Sequence, residues 1–226
     1  PLNSNIFNTI VRGARLKKLY MRSSPTGCGK TRLAVGDICL ISVPYIYDKK
    51  TKSWVTNGFC EPSLFITTEL EIQEIQTLMI AYVADVDESH ILDGKYKDDE
   101  EERVLKAIEY ISQSPLYIEQ IPNFNIDDIE RTVKKYKINK NIKYVFFDYV
   151  FMSVKMLVEI ATKSKGIKLR EDNVLYMFIE RMKFLSNKLN IHFNTSTQLN
   201  GEWKNVKDAD QNLLRGCKAM GDKLDV

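Results

Sequence analysis

The sequence predicts an α/β fold: a mainly parallel central sheet with helices on both faces. Three observations predict it. Five short apolar runs alternate along the chain with longer segments of helical period. One run, Tyr144-Val145-Phe146-Phe147, is apolar at every position, the pattern of a strand buried on both faces. Gly27-Cys28-Gly29-Lys30-Thr31 stands between such a run and a helical segment, where a strand turns tightly into a helix. The 226 residues suffice for one large domain, and 44% hydrophobic with 28% charged residues is the composition of a folded chain.

The elements follow in order. Ile6, Phe7 and Ile10 share one face of a short helix that starts residues 5–15, and Arg12-Gly13 breaks it. Leu19 to Ser23 is the first strand, and a helix runs from Thr31 to about Ser42. Residues 44–63, with Pro44, Asn57-Gly58 and Pro62, read as a loop or small hairpin. Leu64 to Thr68 is the second strand. Ile72, Ile75, Leu78, Met79, Tyr82 and Val83 then recur at helical spacing. The acidic run from Asp98 to Glu102 suits the start of a helix over 98–113. Leu116-Tyr117-Ile118 is the third strand, and Asn125 or Asp127 caps a helix to about Tyr136. Tyr144 to Phe147 is the fourth strand, a long helix spans about 172–189, and Ile191 to Ser196 is the fifth strand. Leu224-Asp225-Val226 reads as one more strand. With no initiator Met, the expectation is a single domain over 1–226 excised from a longer protein.

Bulk properties exclude several function classes. A net charge of +3 is too small to indicate a nucleic-acid partner by itself, so any basic surface is local. Cys28, Cys39, Cys60 and Cys217 form no CxxC pair and read as free thiols of a reducing, cytoplasmic protein. No apolar run approaches the roughly 18 residues of a membrane span, and no signal peptide is visible. His90 and His192 have no ligand partners near them in sequence, which argues against a metal role.

Chemistry concentrates where strands end, since sheets of this kind bind ligands at the carboxyl ends of their strands. The segment Ser24-Pro25-Thr26-Gly27-Cys28-Gly29-Lys30-Thr31-Arg32 is a phosphate loop. Its small residues let backbone N–H groups curl around phosphate oxygens, and the following helix N-terminus adds a favourable field. Lys30 would reach the outer phosphates of ATP, and the Thr31 hydroxyl would ligate Mg²⁺. Ser24 stands where the motif usually has its first glycine. Asp148 ends the fourth strand and suits a carboxylate holding the Mg²⁺ shell through water. Glu69 follows the second strand. If that strand lies beside the phosphate-loop strand, Glu69 could polarise an attacking water; equally it could be a helix N-terminal glutamate capped by Thr67 or Thr68. Gln198, after the fifth strand, is either a γ-phosphate sensor or a plain loop residue. Two basic stretches, Lys163 to Arg170 and Lys204 to Lys223, could grip a nucleic-acid backbone, although a solvated charged surface is the simpler reading.

Taken in order, these motifs resemble the C-terminal RecA-like ATPase domain of DnaB-type replicative DNA helicases. Phe65-Ile66-Thr67-Thr68-Glu69-Leu70 is similar to the family's Ser-Leu-Glu-Met segment, and Ile91 to Lys95 to its short segment ending in glycine. Pro115 to Glu119 resembles its Pro-Leu-Tyr-Ile-Asp strand. Phe147-Asp148-Tyr149-Val150 resembles its Asp-Tyr-Leu, and Ser196 to Asn200 its Ser-Gln-Leu motif. Arg215 through Ala219 to Asp225 matches its closing segment in spacing. The resemblance implies Glu69 as catalytic base, Gln198 as sensor, and Arg215, Gly216 and Lys218 at single-stranded DNA. It also implies a homo-hexamer, a primase or loader as partner, and an arginine finger beyond Val226. Thr67-Thr68 in place of Ser-Leu, and Arg215-Gly216-Cys217-Lys218 at the close, imply a divergent branch, from a phage or mobile element.

Three readings follow: an ATP-driven helicase motor, a RecA-like ATPase that switches or recombines without unwinding, and a non-catalytic nucleotide- or DNA-binding module. Strand displacement separates the first two, and Mg–ATP calorimetry isolates the third. A phosphate-loop kinase is disfavoured, because no compact arginine cluster is present to form its lid.

Overall fold

The computed structural model describes residues 2–163, 170–200, 211–215 and 217–226. Helix α1 (Asn5–Val11) precedes strand β1 (Leu19–Ser24), which feeds α2 (Lys30–Ser42). An antiparallel hairpin, β2 (Tyr45–Asp48) and β3 (Ser53–Thr56), leads to β4 (Ser63–Thr67) and α3 (Ile72–Ala84). Then come α4 (Glu88–Asp93), α5 (Glu100–Gln113), β5 (Leu116–Gln120), α6 (Ile126–Lys140) and β6 (Tyr144–Asp148). Helices α7 (Val154–Lys163) and α8 (Glu171–Leu189) precede β7 (His192–Gln198). Short 3₁₀ segments at Gln211–Leu213 and Lys218–Lys223 follow. Among the described residues, no helix is long and apolar enough to cross a membrane.

The five-stranded sheet has the order β1-β7-β6-β4-β5, and every pairing in it is parallel. All five strands therefore end on one side, carrying Ser24, Gln198, Asp148, Thr67 and Gln120 to a common edge. Successive side chains on a strand point to opposite faces, and the core divides accordingly. Leu64, Ile66, Val145, Phe147 and Phe193 pack under α6 and α8 with Phe124, Ile129, Val133, Phe178 and Met182. Phe65 and Phe146 face the other way, onto Ile38 of α2, Ile75 and Met79 of α3, and Ala107 of α5. Phe124 and Phe147 meet edge to face, ring centroids 5.2 Å apart.

Three expectations change. The strand that leads to Glu69 is not beside the phosphate-loop strand: β4 lies between β6 and β5, and β7 and β6 separate it from β1. Leu224 to Val226 falls short of a strand. It lies on the outer edge of β1 through two backbone bonds, Asp225 N–H to Leu19 O at 2.9 Å and Met21 N–H to Val226 O at 3.0 Å. Helices α4 and α7 are elements that the sequence pattern did not mark. None of the residues of α4 is buried, so no periodicity announces it. On α7, Val154, Leu157 and Val158 are exposed while Met156 is buried, so apolar positions there do not mark the inner face.

His192, for which the sequence leaves surface and core roles open, is a core residue. It is fully buried, edge-on to Tyr20, and its Nδ1 donates to the Arg15 carbonyl at 2.9 Å. Nδ1 thus carries the proton of the neutral ring. Burial pulls its pKa down to about 4, helped by the Arg22 charge and opposed by the Arg15 carbonyl bond. The unfolded chain, titrating near its ordinary value of 6.5, binds the extra proton first on acidification. Stability from neutral His192 is therefore complete above about pH 6.5 and drains away as pH falls towards 4, by ~3 kcal/mol in all. Urea midpoints at pH 7 and pH 4.5 should diverge less in His192→Gln than in the unsubstituted chain. An equal divergence would show that His192 does not set this slope.

Candidate nucleotide site

The candidate phosphate loop joins β1 to α2 with its two glycines in the left-handed region, Gly27 at φ 78° and Gly29 at φ 77°. A Cβ would meet nothing within 4 Å at either position. The requirement for glycine is thus backbone strain and not space, about 1–2 kcal/mol per left-handed residue. Gly29 is the N-cap of α2, and its carbonyl accepts from Leu33 N–H at 3.0 Å. Ser24 needs no glycine, because it is the last residue of β1, in register with Gln198 of β7, and has no positive φ. The one irregular position of the motif therefore lies in extended backbone that any residue adopts.

The reactive groups gather at the strand ends. Lys30 Nζ lies over its own loop, donating to Pro25 O at 3.0 Å and Ser24 O at 3.1 Å. Thr31 Oγ1 donates to Asp148 Oδ2 at 2.5 Å, linking the start of α2 to the end of β6. Ser196 Oγ on β7 donates to the other oxygen, Asp148 Oδ1, at 2.6 Å. Asp148 is buried, and among the described residues no basic side chain pairs with it. A buried carboxylate served only by neutral hydroxyls retains its demand for a cation. The donors are hard oxygens, and among the described residues no group of three or more His, Cys, Asp or Glu side chains forms a cage. This donor set fits Mg²⁺, which draws its other ligands from phosphates and water. Thr31 and Asp148 are the residues that would hold it.

Glu69 is exposed just beyond β4. The capping role weighed against catalysis belongs to other residues. Glu71 is the N-cap of α3, and Glu74 reaches back to its N–H at 2.8 Å. Thr67 Oγ1 donates to Leu70 O at 2.8 Å. Thr68 Oγ1 donates to Asp148 O at 2.9 Å and accepts from Tyr149 N–H at 3.2 Å, across a cis peptide bond. The end of β4 is thus tied to the end of β6, and Glu69 follows that tie.

Gln198 is not a plain loop residue. Its Oε1 accepts from Arg215 Nη1 at 2.5 Å, and its backbone O accepts from Arg215 N–H at 2.9 Å. Arg32, on the first turn of α2, is exposed and pairs with Glu88 of α4. Lys218 is exposed, whereas Lys223 pairs with Glu180 at 2.9 Å. Gly216, Lys165, Lys168, Lys204 and Lys207 lie outside the described residues. Arg170 and Lys218, one residue from each basic stretch, line a groove of about 720 Å³ that also holds Asp172 and Asp222, and Arg170 pairs with Asp172 at 3.1 Å. Sequence reasoning missed Ser196, Thr68 and Tyr149. The only available signal was their place at or next to the strand-end motifs.

A family model described as the DnaB-like helicase C terminal domain matches residues 3–213. The chain belongs to this family. The DnaB-like domain is 43% identical over its whole length to the SPbeta prophage-derived protein YorI of Bacillus subtilis strain 168, covering 45% of that protein. That relative agrees with the phage branch implied by the departures in its motifs. Over 61% of its length this chain is 25% identical to the replicative DNA helicase DnaB of Mycobacterium leprae, covering 21% of that protein. The DnaB-like domain thus spans less than half the length of these curated relatives. Its fold is shared with a DnaB-like replicative helicase solved with reference to primase, at TM-score 0.73 and 14% identity, covering all of this chain and 49% of that one. It is also shared with a second solved structure, described as an ATPase domain, at TM-score 0.74 and 13% identity, covering all of this chain and 73% of that one. The RecA-like architecture is therefore the one expected.

Proposed function

We propose that this DnaB-like domain is the ATP-hydrolysing motor of a replicative-type DNA helicase, working with Mg²⁺ in a cytoplasmic homo-hexamer on single-stranded DNA. The observation that carries the reading is the bond from Thr31, the residue after Lys30, to Asp148, with the threonine hydroxyl 2.5 Å from the carboxylate. Bound Mg²⁺ would neutralise charge on the phosphates during transfer. Lys30 would exchange the two loop carbonyls it now contacts for phosphate oxygens, a stronger, charge-assisted interaction. Glu69, free of capping duties, would orient and deprotonate the attacking water. Arg215 and Lys218, both exposed after β7, would contact the DNA phosphates, and a neighbouring subunit would complete the site with an arginine. The relatives named for DnaB, and a structural neighbour described with primase, support a primase or loader as further partner.

The test is strand displacement on forked DNA by the protein that carries this domain, with Lys30→Ala as control. Unwinding that needs ATP and is abolished in the control is the expected result. ATP turnover by an assembled ring without strand displacement would favour a switch or recombination ATPase instead.

A further inference from the structure

Asp37 is fully buried on α2, among the apolar residues Ala34, Val35, Ile38, Cys39 and Ile41. Its Oδ2 lies 2.5 Å from Arg22 Nη2 on β1, and its Oδ1 accepts from Asn3 N–H at 2.5 Å. Burial pushes its pKa up, while the Arg22 charge and the Asn3 bond pull it back. Arg22 also lies over the Phe7 ring of α1, 5.5 Å from its centroid. Two stability costs meet at this point. A buried ion pair is often no more stabilising than a well-packed apolar pair in its place. Gly36, next to Asp37, stands inside a helix, where glycine costs about 1 kcal/mol against alanine. A Cβ there would come within 2.5 Å of Asn3 Nδ2 and 2.9 Å of Tyr82 Cε2, and the Tyr82 hydroxyl donates to Asn3 Oδ1 at 3.1 Å. Gly36 thus lets Asn3 cross α2 and reach Asp37.

The place of the pair explains what these costs secure. Arg22 stands just before Ser24, and Asp37 about two helical turns after Lys30. The pair therefore joins the strand that enters the candidate phosphate loop to the helix that leaves it. Packing holds the loop weakly on this side: Ser24, Cys28 and Lys30 border a cavity of about 270 Å³ with Phe7, Arg22 and Asn194. We propose that Arg22 and Asp37 are positioning residues of the nucleotide site: their ion pair fixes the spacing of β1 and α2, and with it the way the loop N–H groups, Lys30 and Thr31 meet the phosphates. An apolar pair would fill the same space without specifying one distance and direction. This inference rests on the ATPase reading above.

The experiment uses the protein that carries this domain. Calorimetry measures its affinity for a non-hydrolysable ATP analogue with Mg²⁺, and thermal unfolding gives the nucleotide-free Tm. Arg22→Met combined with Asp37→Leu replaces the ion pair by apolar side chains, so its Tm should match or exceed the parent's. Its analogue affinity should nevertheless fall about tenfold or more, the loss of one charge-assisted hydrogen bond to phosphate. Arg22→Lys keeps a cation opposite Asp37. The guanidinium meets the carboxylate through Nη2, and Nη1 has no hydrogen-bond partner among the described residues, so an ammonium can serve. That variant should bind within about threefold of the parent. Affinity within about threefold of the parent in the apolar variant overturns the proposal and leaves the pair to the fold. So does a loss in Arg22→Lys as large as in the apolar variant, because shape and not charge would then decide. If the apolar variant has a lowered Tm, Arg22→Met alone decides. Asp37 can there take up a proton and stay buried as a neutral acid, and parent-like affinity again overturns the proposal. A parent that binds no analogue sinks the ATPase reading instead.

Discussion

Glu69→Gln should lower ATP turnover by about 10²- to 10⁴-fold, the range that a positioned general base contributes, while Mg–ATP affinity stays close to that of the unsubstituted protein. The side chain is exposed and follows the strand whose end is bonded to Asp148. It belongs to no cap, since Glu71 and Glu74 close the start of α3. Glutamine keeps its size and removes only the basic oxygen, and an exposed substitution of this kind shifts stability by no more than about 0.5 kcal/mol. Single-turnover hydrolysis with a matched binding titration separates the two quantities. Turnover within a few-fold of the unsubstituted rate would mean that another group activates the water. A parallel loss of binding would mean that Glu69 shapes the nucleotide site and not the chemical step.

What the sequence disclosed and what it concealed divide along a physical line. Local order was legible because it is written in neighbouring residues: the alternation that sends Phe65 and Phe146 to one face and Leu64, Ile66, Val145 and Phe147 to the other, or the two left-handed glycines between β1 and α2. The order of strands is not a local property. Glu69 would lie beside the candidate phosphate loop only if β4 neighboured β1, yet two strands intervene, and its link to the site runs through Thr68 and the Asp148 carbonyl. Buried ion pairs are concealed in the same way. Asp37 sits among the apolar residues of α2, and only the fold brings it within 2.5 Å of Arg22 on β1. Short polar side chains are the hardest to read. Ser196 is one of several hydroxyl residues along β7, and nothing in its immediate neighbours says that it faces a carboxylate. The resemblance to the helicase family supplied roles for Glu69 and Gln198 that their own surroundings left open. The structure then supplied the partners, Tyr149 and Arg215, on which a sensing role for Gln198 would act.

Asp148→Asn should separate stability from activity more sharply than any other change in the site. In the nucleotide-free chain the carboxylate is buried with two hydroxyl donors, from Thr31 and Ser196, and without a basic partner among the described residues. Burying a charge in that state is costly, and a neutral amide of the same shape removes the cost. The asparagine Oδ1 can still accept from one hydroxyl, and the other hydroxyl can act as acceptor for the amide N–H. The variant should therefore fold with a nucleotide-free Tm equal to or above that of the unsubstituted protein. Its activity should move the other way. Without the negative charge the Mg²⁺ shell loses its anchor, and turnover should fall by about 10²–10³-fold, comparable to removing one electrostatic stabiliser from an active site. Asp148→Ala tests the complementary half. It leaves the Thr31 and Ser196 hydroxyls without their acceptor, and the unsatisfied Ser196 hydroxyl, which is buried, costs about 1–3 kcal/mol, so this variant should lose both stability and turnover. Thermal unfolding with and without Mg–ATP reads these differences directly: only the unsubstituted protein should gain a Mg²⁺-dependent increment in Tm on adding nucleotide. An asparagine variant that keeps that increment, or one destabilised as much as the alanine variant, would show that Asp148 is held for the fold and not for the metal.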